Sequence, residues 1–139
     1  MQPYEIVEHT ADVGIRATGR SLEELFAHMA QGMFSLIVEP EGIRSRQTVS
    51  VSARAQDQQE LLLAWLRELL YLFDTRHFIG SSFQVEELTP TRIQAAVGGE
   101  KLDPARHTVL KEVKAVTYHE FSMEKRPDGG WVAQVIFDI

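Results

Sequence analysis

The sequence predicts an α+β fold: mostly antiparallel sheets in a sandwich, with two principal amphipathic helices packed on them. Three observations predict it. Two segments open with a cap residue followed three positions later by Glu, then carry apolar residues three and four apart. The remaining regular segments alternate with a period of two. Asp128-Gly129 joins the last two alternating runs, and Asp-Gly between such runs is a strong hairpin signal. With 139 residues and no linker or repeat, the chain is read as one domain spanning residues 1–139.

Taken in order, residues 13–17 form the first expected strand. The first helix opens at Ser21-Leu22-Glu23-Glu24, where Ser21 can accept from the Glu24 amide while Glu24 reaches back. Leu22, Leu25, Phe26, Met29, Met33, Leu36 and Ile37 then share one face, and Pro40 and Gly42 end it. A strand is expected at 47–55. The second helix begins near Asp57-Gln58-Gln59-Glu60 and is apolar around most of its circumference from Leu61 to Phe73. It is therefore expected to lie centrally, with Trp65, Tyr71 and Phe73 in the core. Strands follow at 82–88 and 92–97, turned by Thr89-Pro90-Thr91. Gly98-Gly99-Glu100 reads as a hairpin or loop corner, and Asp103-Pro104 as a turn. The closing hairpin pairs 110–124 with 131–139.

Composition excludes several kinds of chemistry. There is no cysteine, so disulfides, thiol nucleophiles and thiolate-bound metals are ruled out. The N-terminus lacks a basic and apolar leader, and no apolar run is long enough to span a bilayer; the expected location is the cytoplasm. The net charge is −6 and the basic residues are scattered, unlike a protein that grips phosphates directly. Neither a Ser–His–Asp set nor a phosphate-binding glycine loop is present, and no catalytic residue is assigned.

The candidate site begins in Glu8-His9-Thr10-Ala11-Asp12-Val13-Gly14. Asp12 offers a hard oxygen ligand and His9 an imidazole, although Thr10 and Asp12 could equally serve a local turn. The sequence closes on Val135-Ile136-Phe137-Asp138-Ile139, an apolar strand with no polar tail. Asp138 and the Ile139 α-carboxylate should then be fixed close together, an arrangement that calls for a cation or donor. Oxygen ligands from Asp12, Asp138 and Ile139 would suit Ca²⁺, Mg²⁺ or Mn²⁺. His107 and His119 lie in polar surroundings, and Lys114 could meet a carboxylate or a partner.

These motifs, in this order, resemble the archease family. The resemblance rests on His9-Thr10-Ala11-Asp12-Val13-Gly14-Ile15, Ser21-Leu22-Glu23-Glu24-Leu25-Phe26 and Gly32-Met33-Phe34. It continues through residues 65–74, Gly99-Glu100, His107, Lys114-Ala115-Val116-Thr117-Tyr118-His119 and residues 135–139. It covers essentially the whole chain. It implies a non-catalytic cofactor of the RtcB-type tRNA-splicing ligase, which uses GTP and manganese to join RNA ends. Such a cofactor promotes guanylation of the ligase and lets it turn over repeatedly. The resemblance also implies a divalent-metal site at Asp12, Asp138 and the Ile139 carboxylate, with calcium the family-typical occupant. His9, Thr10, His107, Lys114 and His119 would be accessory or partner-facing. An alternative implied role is a chaperone-like modulator of tRNA-modifying enzymes.

Overall fold

The computed structural model describes residues 3–8 and 12–139. Along the chain it shows β1 (Tyr4–Glu8), β2 (Asp12–Gly19), α1 (Leu22–Ile37), β3 (Gln47–Arg54) and α2 (Gln58–Arg76). Then come β4 (Phe78–Leu88), β5 (Arg92–Lys101), β6 (Ala115–Lys125) and β7 (Trp131–Asp138). The strands make two antiparallel sheets, ordered β1-β2-β7-β6 and β3-β5-β4. This is the expected α+β sandwich of antiparallel sheets with two helices. No helix among the described residues is long and apolar enough to cross a membrane.

Both helices start where their caps predict. Ser21 Oγ accepts from the Glu24 amide at 3.1 Å, and Asp57 Oδ1 accepts from the Glu60 amide at 2.9 Å. Glu24 reaches back one residue further than a simple capping box, taking the Arg20 amide at 3.2 Å.

Helix α2 is covered on more than one side, as expected, touching β6 of one sheet and β3, β4 and β5 of the other. The more completely buried helix is α1. It lies between the sheets, touching β1, β2 and β7 on one side and β4 on the other. Every residue from Gly32 to Val38 is buried. Small residues make that enclosure possible: a Cβ on Gly32 would stand 2.6 Å from Ile15 and 3.2 Å from the Tyr4 ring. The buried Ser35 hydroxyl donates to Gly32 O at 2.6 Å, so no polar group is stranded.

Helix α2 packs on β3 and β6 with Leu61, Leu62, Leu63, Trp65, Leu66 and Leu69 fully covered. Tyr71, expected in the core, is 64% exposed, because the helix turns that side to solvent. Trp65 joins the helices through Nε1, which donates to Phe26 O at 3.0 Å, and its ring meets Phe83 edge-on. Burying a Trp removes roughly 150–250 Å² from water, about 4–6 kcal/mol at 25 cal/mol per Å².

Gly98, Gly99 and Glu100 are not a corner. They continue β5, paired with Thr48 and Gln47 on one side and with β4 on the other. A Cβ on Gly99 would lie 1.9 Å from Ile79 O, so the glycine is there for close backbone approach. Strand β6 begins at Ala115, five residues later than its alternation suggests. Residues 110–114 instead run as irregular chain along the end of α1, where Leu110 N donates to Ile37 O at 2.8 Å.

Candidate functional site

Antiparallel pairing places Asp12 directly opposite Asp138 across β2 and β7. Directly opposed residues have Cβ atoms only about 4.5–5.5 Å apart, and like charges there are destabilising. Asp12 is half-buried, and its Oδ1 is a buried oxygen without a hydrogen-bond partner among the described residues. Stranding such an atom costs on the order of 1–3 kcal/mol. Two carboxylates face each other while one oxygen is shielded from solvent and unanswered.

Strand β6 brings a third participant to the same sheet end. Ala115 also lies opposite Asp138, and Lys114 N donates to Asp138 O at 2.8 Å. Lys114 is exposed, and Ile139 packs, half-buried, against the core. The structure thus brings together Asp12, Asp138, Ile139 and Lys114. His9 and Thr10 lie outside the described residues.

An orphaned buried carboxylate oxygen opposite a second carboxylate is a donor set that fits a hard divalent cation. Among the described residues no three His, Asp or Glu side chains gather into a metal-binding group. A cation here would rest on two carboxylate side chains and on main-chain or terminal oxygens.

His107 is placed differently, with its side chain fully buried. Its Nδ1 accepts from the Asp103 amide at 2.8 Å, so the ring proton sits on Nε2, which donates to Glu100 Oε2 at 3.0 Å. Glu100 is 4% exposed and also accepts from the Arg44 amide at 2.7 Å and from the Arg106 guanidinium, with Arg46 Nε 3.5 Å away. Burial acts to raise the Glu100 pKa, but the Arg44 amide, His107 and Arg106 outweigh it and lower it to about 2. Any part His107 plays is therefore exerted through Glu100 and the loop at 103–107.

His119 is exposed and lies in an interruption of β6, where Thr117 faces Ile136 but Ser122 faces Gln134. Sequence reading missed both the buried Glu100 centre and this interruption. The glycines beside Glu100 were the available signal for the first, since glycine inside a strand marks close approach.

The family model described as the Archease protein family (MTH1598/TM1083) matches residues 4–139. "Protein archease" of Pyrococcus abyssi is 41% identical over 142 residues, covering 100% of both chains. The solution structure of Methanobacterium thermoautotrophicum protein 1598 superposes with a TM-score of 0.86 at 32% identity, covering 100% of each chain. The crystal structure of an archease, possible chaperone (TM1083), from Thermotoga maritima has a TM-score of 0.65 at 20% identity, covers 97% of this chain and 96% of that one, and shows a shared fold. On the family model and these full-length identities, the chain belongs to the archease family.

Proposed function

We propose that the chain is a non-catalytic cofactor of an RtcB-type tRNA-splicing ligase in the cytoplasm. It promotes guanylation and multiple turnover of the ligase through the acidic sheet end at Asp12 and Asp138. Family membership supports the partner class, and the observation that carries the site is the buried Oδ1 of Asp12, without a partner among the described residues and opposite Asp138. Natural proteins retain such an unmet charge where a ligand answers it.

In this reading Asp12, Asp138 and the Ile139 α-carboxylate hold a divalent cation, with Ca²⁺ the preferred occupant and Mn²⁺ or Mg²⁺ the alternatives. When bound, the cation neutralises the opposed carboxylates and can share oxygen ligands with a partner. Lys114, beside Asp138, offers a positive charge to phosphate or carboxylate on the ligase, while His9 and Thr10 flank Asp12 in sequence. An acidic projection is steered toward a cleft built to hold GTP and RNA, so docking should be fast at low salt.

The test is ligation by the cognate ligase under single- and multiple-turnover conditions. Asp12→Ala and Asp138→Ala should keep the fold, shown by unchanged cooperative melting, yet abolish stimulation of multiple turnover. Full stimulation by either folded variant would overturn the reading. The description of the Thermotoga maritima protein as a possible chaperone motivates one control, suppression of aggregation of an unrelated client.

A further inference from the structure

Four strands stand at the edges of the two sheets: β1 and β6 in one, β3 and β4 in the other. An edge strand presents unpaired main-chain N–H and C=O groups to any extended chain, so folded proteins guard such edges with charge, bulges or brevity. Three of these four are guarded. Strand β1 has five residues and carries Glu5, while β4 has two register shifts and the pair Glu86-Glu87. Strand β6 is interrupted between Thr117 and Ser122, where Glu120 takes φ +49°, the left-handed region that favours glycine. Strand β3 has none of these devices. From Gln47 to Ala53 it is uncharged, contains no proline and pairs with β5 without a shift.

Helix α2 runs beside that edge without closing on it. Two cavities, of about 370 Å³ and about 250 Å³, lie between them and share Val49, Leu72, Thr75 and Arg76, so they form one groove. Val49, Ser50, Val51 and Ser52 all line its smaller part. Successive side chains of a strand point to opposite faces, so four consecutive residues line one cavity along the strand's edge. The ladder also fixes which groups are open there. Ala55 N donates to Thr91 O at 3.0 Å, one step beyond the pairing of Arg54 with Arg92, so Ala53, Val51 and Val49 bond to β5. The main-chain N–H and C=O of Thr48, Ser50 and Ser52 then face away from β5, toward the groove.

We propose that this groove takes the extended C-terminal segment of a partner polypeptide, added antiparallel to β3 as a further strand. Main-chain groups that repeat every second residue are complementary to another extended backbone. The end near Gln47 fixes the direction. There Val49, Leu72 and Phe78 make an apolar wall, and Arg76 and Lys101 line the same cavity. Neither cationic side chain has a partner among the described residues. An apolar side chain and a carboxylate presented from one point of a chain belong to an apolar C-terminal residue. Glu68 lines the other end, about two turns back along α2, a span of about 12 Å or some four strand residues. A basic residue at that place in the peptide meets it. Tyr71, 64% exposed, stands between the two ends with its ring free to cover the added strand. A second copy of this chain does not supply the segment, because its last strand, β7, is already paired on both sides. The groove lies on the other sheet from Asp12 and Asp138, so it serves a separate contact.

Selection by the full chain from a library of random heptapeptides displayed with free C-termini tests it. Sequences ending in Val, Ile, Leu or Phe should be enriched, and the corresponding synthetic peptides should bind in fluorescence anisotropy. Amidating the peptide C-terminus should weaken binding at least tenfold, and so should Arg76→Glu or Lys101→Glu, both at exposed positions. Ser50→Pro removes an N–H that faces the groove and should abolish binding. Thr75→Trp, which fills the groove from an exposed helix position, should do the same if the proline disturbs the sheet. Cooperative melting of each variant shows that it is folded. In NMR spectra the bound peptide should shift amides within residues 47–54 and 68–76. No enrichment over the unselected library, equal affinity of amide and acid peptides, or wild-type affinity in both charge-reversed variants overturns the proposal. So does a dimer of the free protein that Ser50→Pro dissociates, since a second copy would then occupy the edge.

Discussion

Replacing Glu100 by Gln keeps the shape of a buried side chain and removes its charge. Three donors converge on that carboxylate: the Arg44 amide, His107 Nε2 and the Arg106 guanidinium. An amide NH₂ among them sets a donor against donors, and Arg106 loses its partner. Breaking a buried ion pair by removing one member costs about 3–5 kcal/mol. The lowered pKa points the same way. Its fall from 4.5 to about 2 corresponds to about 3 kcal/mol at 1.36 kcal/mol per pH unit. Because the folded value lies below the unfolded one, this stabilisation is complete above about pH 4.5 and is lost as pH falls toward 2. Urea unfolding of wild type and Glu100→Gln should differ by about 3 kcal/mol at pH 7 and by less than half of that at pH 3. A difference under 1 kcal/mol at pH 7, or one that stays constant down to pH 3, would refute the reasoning.

Three further outcomes are expected. Glu120→Gly should relieve the left-handed strain and stabilise the chain by about 0.5–1 kcal/mol in urea, despite the entropy glycine brings to the unfolded state. Gly99→Ala should cost at least about 3 kcal/mol or prevent folding, because its Cβ would meet the Ile79 carbonyl, which is backbone and cannot swing aside. In EDTA, Asp12→Asn should match or exceed the wild type in stability by about 0.5 kcal/mol, since it removes one of two directly opposed charges. Millimolar Ca²⁺ should then raise the wild-type Tm and leave the variant unmoved; equal shifts would exclude a cation at Asp12.

Local signals made the helices and most strands readable. Ser21 and Asp57 cap where their spacing to Glu24 and Glu60 says they should, because capping is settled within four residues. Tertiary context decided the rest. Residues 110–114 alternate like a strand yet have no ladder partner, because the end of α1 and the end of β7 each take single bonds from them. The fuller burial of α1 depends on Gly32 and Ser35, whose smallness is silent in a periodicity count. Asp12 could not be told from a turn residue by its neighbours in sequence. What distinguishes it is Asp138, 126 positions away and directly across the ladder.

The buried Glu100 centre and the acidic sheet end are joined by one stretch of chain. His107 is held from both ring nitrogens, which fixes the turn opened by Asp103, where Arg106 N and His107 N both donate to Asp103 O. From there Thr108 O accepts from Glu39 N at 2.9 Å and Leu110 N donates to Ile37 O, so the segment also satisfies the open end of α1. It arrives at Lys114, whose amide bonds Asp138 O. Loosening Glu100 therefore frees the path that ends at the Lys114 amide on the main chain of Asp138, without touching either carboxylate. A carboxylate that looks purely structural is thus coupled to the site by geometry, and on the proposed ligase role Glu100→Gln should lose stimulation at temperatures well below those at which it unfolds. Stimulation that tracks only the folded fraction would reduce Glu100 to a stabilising residue.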